Sequence, residues 1–436
     1  MSDVKDRGFG ALAATAIVIA NMVGTGVFTS LGFQLVDIQS PLVLLLLWVV
    51  GGVIALCGAL CYAELGAAMP RSGGEYHYVG ELFHPSLGFV SGWVSATIGF
   101  AAPTALVAMT FGAYVQAVFP TVSPTLAALL LVITTSLAHA WNRQASATVQ
   151  IIFTSLKVVI IIGFCLAAIA WVGDPQSVPL APTASDGRLL VSSAFAVSLI
   201  YVNYAYTGWN AASYIAGEMT NPARHLPWVL ALGTLMVLVL YVALNYVFLK
   251  VAPIEDMVGK VEIGYIAASH AFGQQGGEIM SLVLAALLIS TASAMILAGP
   301  RVLKVIGDDF RVLRFLGHVN THGVPSVAVA ALCLTTILLI LSGTFEAVLV
   351  FTGFTLSLNT LITVLGVFVL RSRRSAASLP FRIPLYPLPP LLFSALTVWT
   401  LTFILIERPI EGLLGLGIVL AGLAMYFVSR RMSHRA

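Results

Sequence analysis

Twelve apolar runs, each near or above the roughly 20 residues a helix needs to cross a bilayer, divide this chain. They lie at about 9–33, 42–66, 86–118, 124–141, 146–172, 190–217, 226–250, 276–303, 325–342, 346–370, 386–406 and 411–430, numbered below as segments one to twelve. Nothing else narrows the fold so far, because a backbone in hydrocarbon must find partners for every N–H and C=O within the protein. Charged residues make up 9% of the chain and hydrophobic ones 59%. A soluble protein carries about a quarter charged residues. The chain therefore reads as an all-α membrane protein with twelve transmembrane helices. The first run is too long for the core of a signal peptide and has no small-residue cleavage site near its end. It is expected to stay in the mature protein. The longest loops, around 172–190, 251–275 and 304–324, are too short for a soluble domain.

Orientation follows from the distribution of positive charge. With the N-terminus inside, sixteen Lys and Arg residues fall in inward loops and tails. Four fall in outward ones: Arg188, Lys250, Lys260 and Arg408. Lys157 alone lies within a segment. This bias predicts that both termini are cytoplasmic. The cluster Arg371, Arg373 and Arg374 fits the same bias and headgroup contact, and needs no nucleic acid to explain it.

Two of the segments are interrupted: at Gly24-Thr25-Gly26 in segment one and at Thr207-Gly208-Trp209 in segment six. Each break lies about 15 residues in, counted from opposite faces, so both come to the midplane. A break at that depth survives only where it is buried in protein or lines a cavity. A corresponding pair is a pointer to a transporter's binding site, and to two five-helix repeats of inverted topology. Sequence identity between the halves 9–172 and 190–370 is not visible by eye, so the repeat rests on topology.

The chemistry of the breaks is complementary. Glycine permits an unwound turn and close ligand approach. The half-helix that starts near Gly26 presents free N–H groups and a positive dipole end, which suits a carboxylate. The half-helix that ends near Tyr204, Ala205 and Thr207 presents unpaired carbonyls and a negative end, which suits an ammonium. Together they describe an α-amino acid site. The competing reading is that the small residues merely let helices pack closely. The candidate binding set is Asn21, Val23, Gly24, Thr25 and Gly26 in segment one, with Tyr204, Ala205, Thr207 and Asn210 in segment six. Tyr204, one turn before Gly208, is placed either to gate the site from outside or to fill the core.

Lys157 lies about ten residues into segment five, roughly 15 Å deep at 1.5 Å per residue. A charge at that depth is costly and by default functional. The alternative is snorkelling to the inner headgroups, but the side chain covers only part of that distance. The ammonium could stand in for a coupling sodium ion, bonded to carbonyls of the broken first segment, or could carry a proton. Glu64 and Glu218 are expected to be structural, paired with loop cations such as Arg71 or Arg224. Ser290, Thr291 and Ser293 are polar enough to line a pathway.

The four cysteines, Cys57, Cys61, Cys165 and Cys333, all lie in apolar runs and imply no disulfide framework. The histidines show no metal-like spacing, and no nucleophile–base pattern or phosphate-cradling loop occurs. No cofactor, no metal and no enzymatic activity are expected.

Gly24-Thr25-Gly26-Val27-Phe28 resembles the Gly-Ser-Gly-Ile-Phe motif of the amino acid–polyamine–organocation superfamily. The stretch from Tyr62-Ala63-Glu64-Leu65 through Met69-Pro70-Arg71-Ser72-Gly73-Gly74-Glu75-Tyr76 is similar to its first inner loop. Tyr204 to Asn210, continuing to Leu226-Pro227, is most like the L-type branch, and Pro380 to Pro384 resembles the loop before the eleventh span. The resemblance covers nearly the whole chain. It implies a leucine-transporter-like fold: a ten-helix core over 1–370 (repeats at about 9–172 and 190–370) and two peripheral helices over 371–436. It implies that Thr25 and Gly26 receive the substrate carboxylate and that carbonyls around Tyr204, Ala205 and Thr207 receive the amine. Tyr204 falls where the family has its occluding aromatic, and Lys157 on the lysine that occupies the sodium site of many sodium-independent members.

Two departures carry expectations. Thr207 replaces a glycine common in the L-type branch, which should shrink the pocket. The loop Phe119 to Pro124 lacks the cysteine that animal members bond to an accessory glycoprotein, so no disulfide-linked partner is expected. The resulting expectation is a sodium-independent carrier of small neutral L-amino acids in the bacterial inner membrane, an exchanger by alternating access. The alternatives are a proton-coupled symporter, a carrier of cationic amino acids or polyamines, and an amino acid sensor. Besides substrate, the lipid bilayer is its expected surrounding, with no nucleic acid.

Overall fold

The computed structural model describes residues 10–71, 73–141, 147–320, 323–375 and 378–434. Among these residues no β-strand forms, and each of the twelve segments is helical. Segment one is split into Ala11–Met22 and Gly26–Asp37, and segment six into Ser193–Tyr206 and Ala211–Tyr214. The continuous segments are two (Pro41–Ala68), four (Pro124–Trp141), five (Ala147–Trp171), seven (Pro222–Val251), nine (Ser326–Ser342), ten (Phe345–Arg373), eleven (Leu388–Glu407) and twelve (Pro409–His434). Segment three runs from Pro85–Val94 through a π-turn at Ser95–Gly99 into Ala101–Val118. Among the described residues, eight segments are long and apolar enough to cross a membrane by length and composition alone; four, five and nine are shorter apolar helices.

Segment eight is longer than expected. Its helix, Ile263–Asp309, begins thirteen residues before 276 and kinks at Gly273, whose φ of 76° is left-handed. The added turns carry Ser269, His270, Gln274 and Gln275, a polar stretch that masks a helix in a hydropathy reading. Local signals set other boundaries. The Ser40 hydroxyl accepts from the N–H of Val43 ahead of Pro41, and Thr344 caps segment ten through the N–H of Ala347.

Packing partners recur when every segment number in the core is raised by five. One packs on five and six on ten; one on seven and six on two; three on four and eight on nine. Three packs on nine and eight on four; three on ten and eight on five; two on ten and seven on five. Between the sets, two lies along seven, three along eight and four along nine, and one meets six. This is the arrangement of two five-segment units facing each other across a pseudo-two-fold axis. Segment eleven packs outside this core on two, six and ten, and twelve on three, ten and eleven.

At the inner rim, Glu64 does not pair with Arg71 or Arg224. Its buried carboxylate accepts two bonds from Arg371 at 2.7 and 2.6 Å and one from the N–H of Ile383 at 2.7 Å. The guanidinium also lies 3.9 Å from the centre of the Tyr386 ring. Segments two and ten end side by side, so the last turn of one meets the last turn of the other before either loop cation is in reach. The loop around Pro380 to Pro384 is thereby pinned to segment two. The side chain of Glu218 lies outside the described residues, as do Ser72 and the basic residues Lys5, Arg7, Arg143 and Arg435.

Candidate functional site

In segment one the helix ends at Met22 and the chain turns sharply, the N–H of Gly24 bonding the Met22 carbonyl at 2.8 Å. The same carbonyl accepts from the Tyr241 hydroxyl of segment seven at 2.5 Å, so an end left open by the break is satisfied from a neighbouring helix. The helix restarts at Gly26; the N–H of Phe28 turns back to the Thr25 carbonyl at 2.9 Å, and those of Gly26 and Val27 form its positive end. Gly26 is required by space: a Cβ there would come within 2.5 Å of the Ala205 Cα.

In segment six the outer half-helix ends at Tyr206 and a turn covers residues 207–210. Gly208 has a φ of 103°, and a Cβ there would meet the Asn21 backbone at 2.6 Å. The two breaks therefore touch at two places, Gly26 on Ala205 and Gly208 on Asn21. The Tyr204 carbonyl already receives the N–H of Thr207 at 3.0 Å and, at short range, the Thr207 hydroxyl.

Two cavities flank this junction. The first, of about 370 Å³, is lined by Gly24, Thr25 and Phe28 of segment one, Thr110 and Tyr114 of three, Lys157 and Ile160 of five, and Leu284, Leu287, Leu288 and Thr291 of eight. The second, of about 440 Å³, lies between Tyr204, Thr207 and Trp209 of segment six and residues of two, ten and eleven, among them Ile54, Ser357, Thr360 and Thr397. The predicted residues are thus divided. Gly24, Thr25 and Lys157 share the first cavity, while Tyr204 and Thr207 line the second. Thr25 and Tyr204 stand near each other, one lining each cavity. Val23 and Ala205 are buried and line neither. The Asn21 amide donates back to the Ile17 carbonyl at 2.8 Å, on an exposed face. Asn210 turns inward, away from both cavities, to Glu75 and Tyr214.

Lys157 is only 7% exposed, so it does not reach out to the headgroups. Its ammonium donates to the Thr291 hydroxyl at 2.7 Å, and Thr291 in turn donates to the Leu287 carbonyl. The bond thus goes to segment eight rather than to carbonyls of the first break, which faces the ammonium across the cavity. Sequence reasoning had Thr291 only among several pathway hydroxyls, and missed Tyr241 and Tyr114. Tyr114 receives the N–H of Gly264 at 3.0 Å and donates to the Phe28 carbonyl at 3.4 Å, joining segment eight to segment one. A tyrosine in an apolar run gives no sign of which backbone group its hydroxyl will meet.

Comparison with known proteins gives consistent results. A family model described as amino acid permease matches residues 9–425. The large neutral amino acids transporter small subunit 2 of Rattus norvegicus is 30% identical over 98% of this chain and 82% of its own length. The b(0,+)-type amino acid transporter 1 of Mus musculus is 27% identical over 96% of this chain and 87% of its own. The Asc-type amino acid transporter 1 of Mus musculus is 26% identical over 97% and 81%.

Proposed function

The chain belongs to the amino acid permease family, a family of transporters and not of enzymes, and from that membership we propose a sodium-independent exchanger of small neutral L-amino acids. The observation that carries the sodium-independent part is Lys157. Its ammonium, held by Thr291 beside Gly24 and Thr25, supplies a fixed positive charge next to the break. Support for small substrates comes from Thr207, a side chain where the L-type branch commonly has none. The carboxylate is read as meeting the N–H groups at Thr25 and Gly26, and the amine the carbonyls around Tyr204, Ala205 and Thr207. Tyr204 is then the gate, moving as Thr25 engages substrate.

The recurrence of packing partners supports dividing the core, 1–370, into repeats of about 9–172 and 190–370, with 371–436 peripheral. Charge distribution supports both termini being cytoplasmic, and we place the carrier in a plasma membrane, a bacterial inner membrane. The rat relative is named a small subunit. This chain lacks a cysteine in the loop Phe119 to Pro124, and we read it as working without a disulfide-linked partner.

Purified protein in liposomes loaded with unlabelled alanine should take up labelled alanine or serine in sodium-free buffer. An absolute need for sodium would overturn the reading of Lys157. Uptake into empty vesicles driven by an inward proton gradient would replace exchange with proton symport. Stronger competition by arginine or putrescine than by alanine would move the substrate class to cations, and binding without flux would make the protein a sensor.

A further inference from the structure

The inner loop between segments two and three carries Gly73-Gly74-Glu75, which the candidate site leaves unused. Glu75 begins the loop helix Gly74–Leu82 and is only 3% exposed. Its carboxyl is met from two other elements. Oε1 accepts from the Tyr62 hydroxyl of segment two at 2.8 Å and from the Asn210 amide at 2.7 Å; Oε2 accepts from the Tyr214 hydroxyl at 2.6 Å. Asn210 also donates to the Tyr214 oxygen at 3.2 Å. The titratable groups that face the carboxyl are Tyr62, Tyr214 and, on its own helix, Tyr78; no cation stands against it among the described residues.

The loop backbone is shaped for this contact. Gly73 and Gly74 have φ of 132° and 53°, and a Cβ on Gly74 would come 2.4 Å from the Tyr214 ring. Two glycines in sequence thus allow both the left-handed turn and the approach of the ring. What is held is the inner half of segment six, Ala211–Tyr214, four residues cut off from their outer half by the break. A single helical turn has no stability of its own, so outside contacts must place it.

We propose that Glu75 is the inner latch of the transporter, a positioning residue that clamps the inner half of segment six onto the loop helix and segment two. The proposal rests on the alternating-access reading, in which this half-helix must move to open the inner side of the break. A buried carboxylate without a cation is costly unless hydrogen-bonded, so its three donors leave together or not at all. Raising segment numbers by five turns this contact into that between the half-helix Gly26–Asp37 and the loop after segment seven. There the fastening is backbone to backbone: the N–H of Gly259 donates to the Gly32 carbonyl at 2.8 Å. The outer fastening carries no titratable side chain in that bond, and the inner one does.

The test uses the full chain in lipid nanodiscs, with a cysteine introduced by Ser213→Cys on the inner half-helix or by Ser198→Cys on the outer half, both buried sites. Glu75→Ala and Tyr214→Phe should each speed labelling of the first cysteine by a soluble maleimide about tenfold or more, as expected for removing a hydrogen bond to a charged acceptor. Labelling of the second should not change, whereas general loosening would speed both. Tyr214→Phe, which removes one oxygen, carries the comparison should the Glu75 variants fail to fold. Unchanged labelling of the first cysteine in folded variants, or equal acceleration of both, overturns the latch. Alanine exchange by the unmodified chain is measured alongside. If it is absent while labelling still responds, the latch stands and the transport reading falls.

Discussion

At the scale of single residues, Lys157 and Thr207 make separable predictions. Lys157→Ala should abolish exchange while the thermal midpoint in detergent stays near that of the parent; near-normal uptake would reduce the lysine to a structural role. Thr207 does two things at once, adding bulk to the second cavity and donating to the Tyr204 carbonyl. Thr207→Gly should admit leucine and larger side chains in a competition panel. Thr207→Val keeps the bulk and removes the donor, so it should retain the parent's size limit; a panel widened equally by both would refute the size argument. Lys157 was legible in the sequence because a charge in an apolar run stands alone. Thr291 was ambiguous, since hydroxyls are common in membrane helices and bond their own backbone. Asn210 was read as a substrate ligand, and nothing local shows that its amide bonds a carboxyl 135 residues away.

At the scale of elements, the two glycines of the first break differ in kind. A Cβ at Gly24 would meet only the Met22 carbonyl oxygen, at 3.9 Å, whereas at Gly26 it would collide with Ala205. Gly26→Ala should therefore cost about 1–3 kcal/mol through overpacking and lower the thermal midpoint. Gly24→Ala should fold normally and weaken substrate binding instead. If both variants melt alike, the division between packing and ligand approach is wrong. The inner latch adds a pH dependence. Burial holds the Glu75 carboxyl above the usual carboxylate range, and its three hydrogen bonds oppose that without cancelling it. Opening hydrates the group and returns it to its ordinary value, so the closed inner side binds the proton more tightly. Acidification from above the raised value toward the ordinary one should then favour closure, and labelling at Ser213→Cys should slow by more than labelling at Ser198→Cys, which reports the loss of thiolate alone. Glu75→Gln should flatten that response; a slope unchanged in the variant would assign it to another group. The apolar helices were legible, because hydrocarbon length and apolarity leave few options, whereas the loop helix Gly74–Leu82 was not. The start of segment eight was not, because a polar helix outside the hydrocarbon looks like a loop.

At the scale of the whole molecule, the packing partners that recur at a step of five carry a symmetry that side chains have lost. Topology and the two breaks were enough to anticipate it, while the fastenings between units were not, since each joins residues far apart in the chain. Glu64 with Arg371 is one such fastening, joining segments two and ten across the inner rim. Glu64→Ala would leave the guanidinium unpaired, and Arg371 keeps some access to solvent. The cost should fall at the low end of the roughly 3–5 kcal/mol seen when one partner of a buried pair is removed. A thermal midpoint within a degree of the parent would show the pair to be dispensable. Lys157 has a consequence at this scale too. An ion that binds, crosses and departs delivers work, about 2.3 kcal/mol per charge at 100 mV, close to a fiftyfold concentration ratio. An ammonium tethered to the chain makes no such journey and delivers none. If Lys157 keeps its proton through the cycle, as the proposed exchange requires, a carrier built around it levels amino acid pools against one another rather than filling one of them, and should be indifferent to voltage when its cargo is neutral.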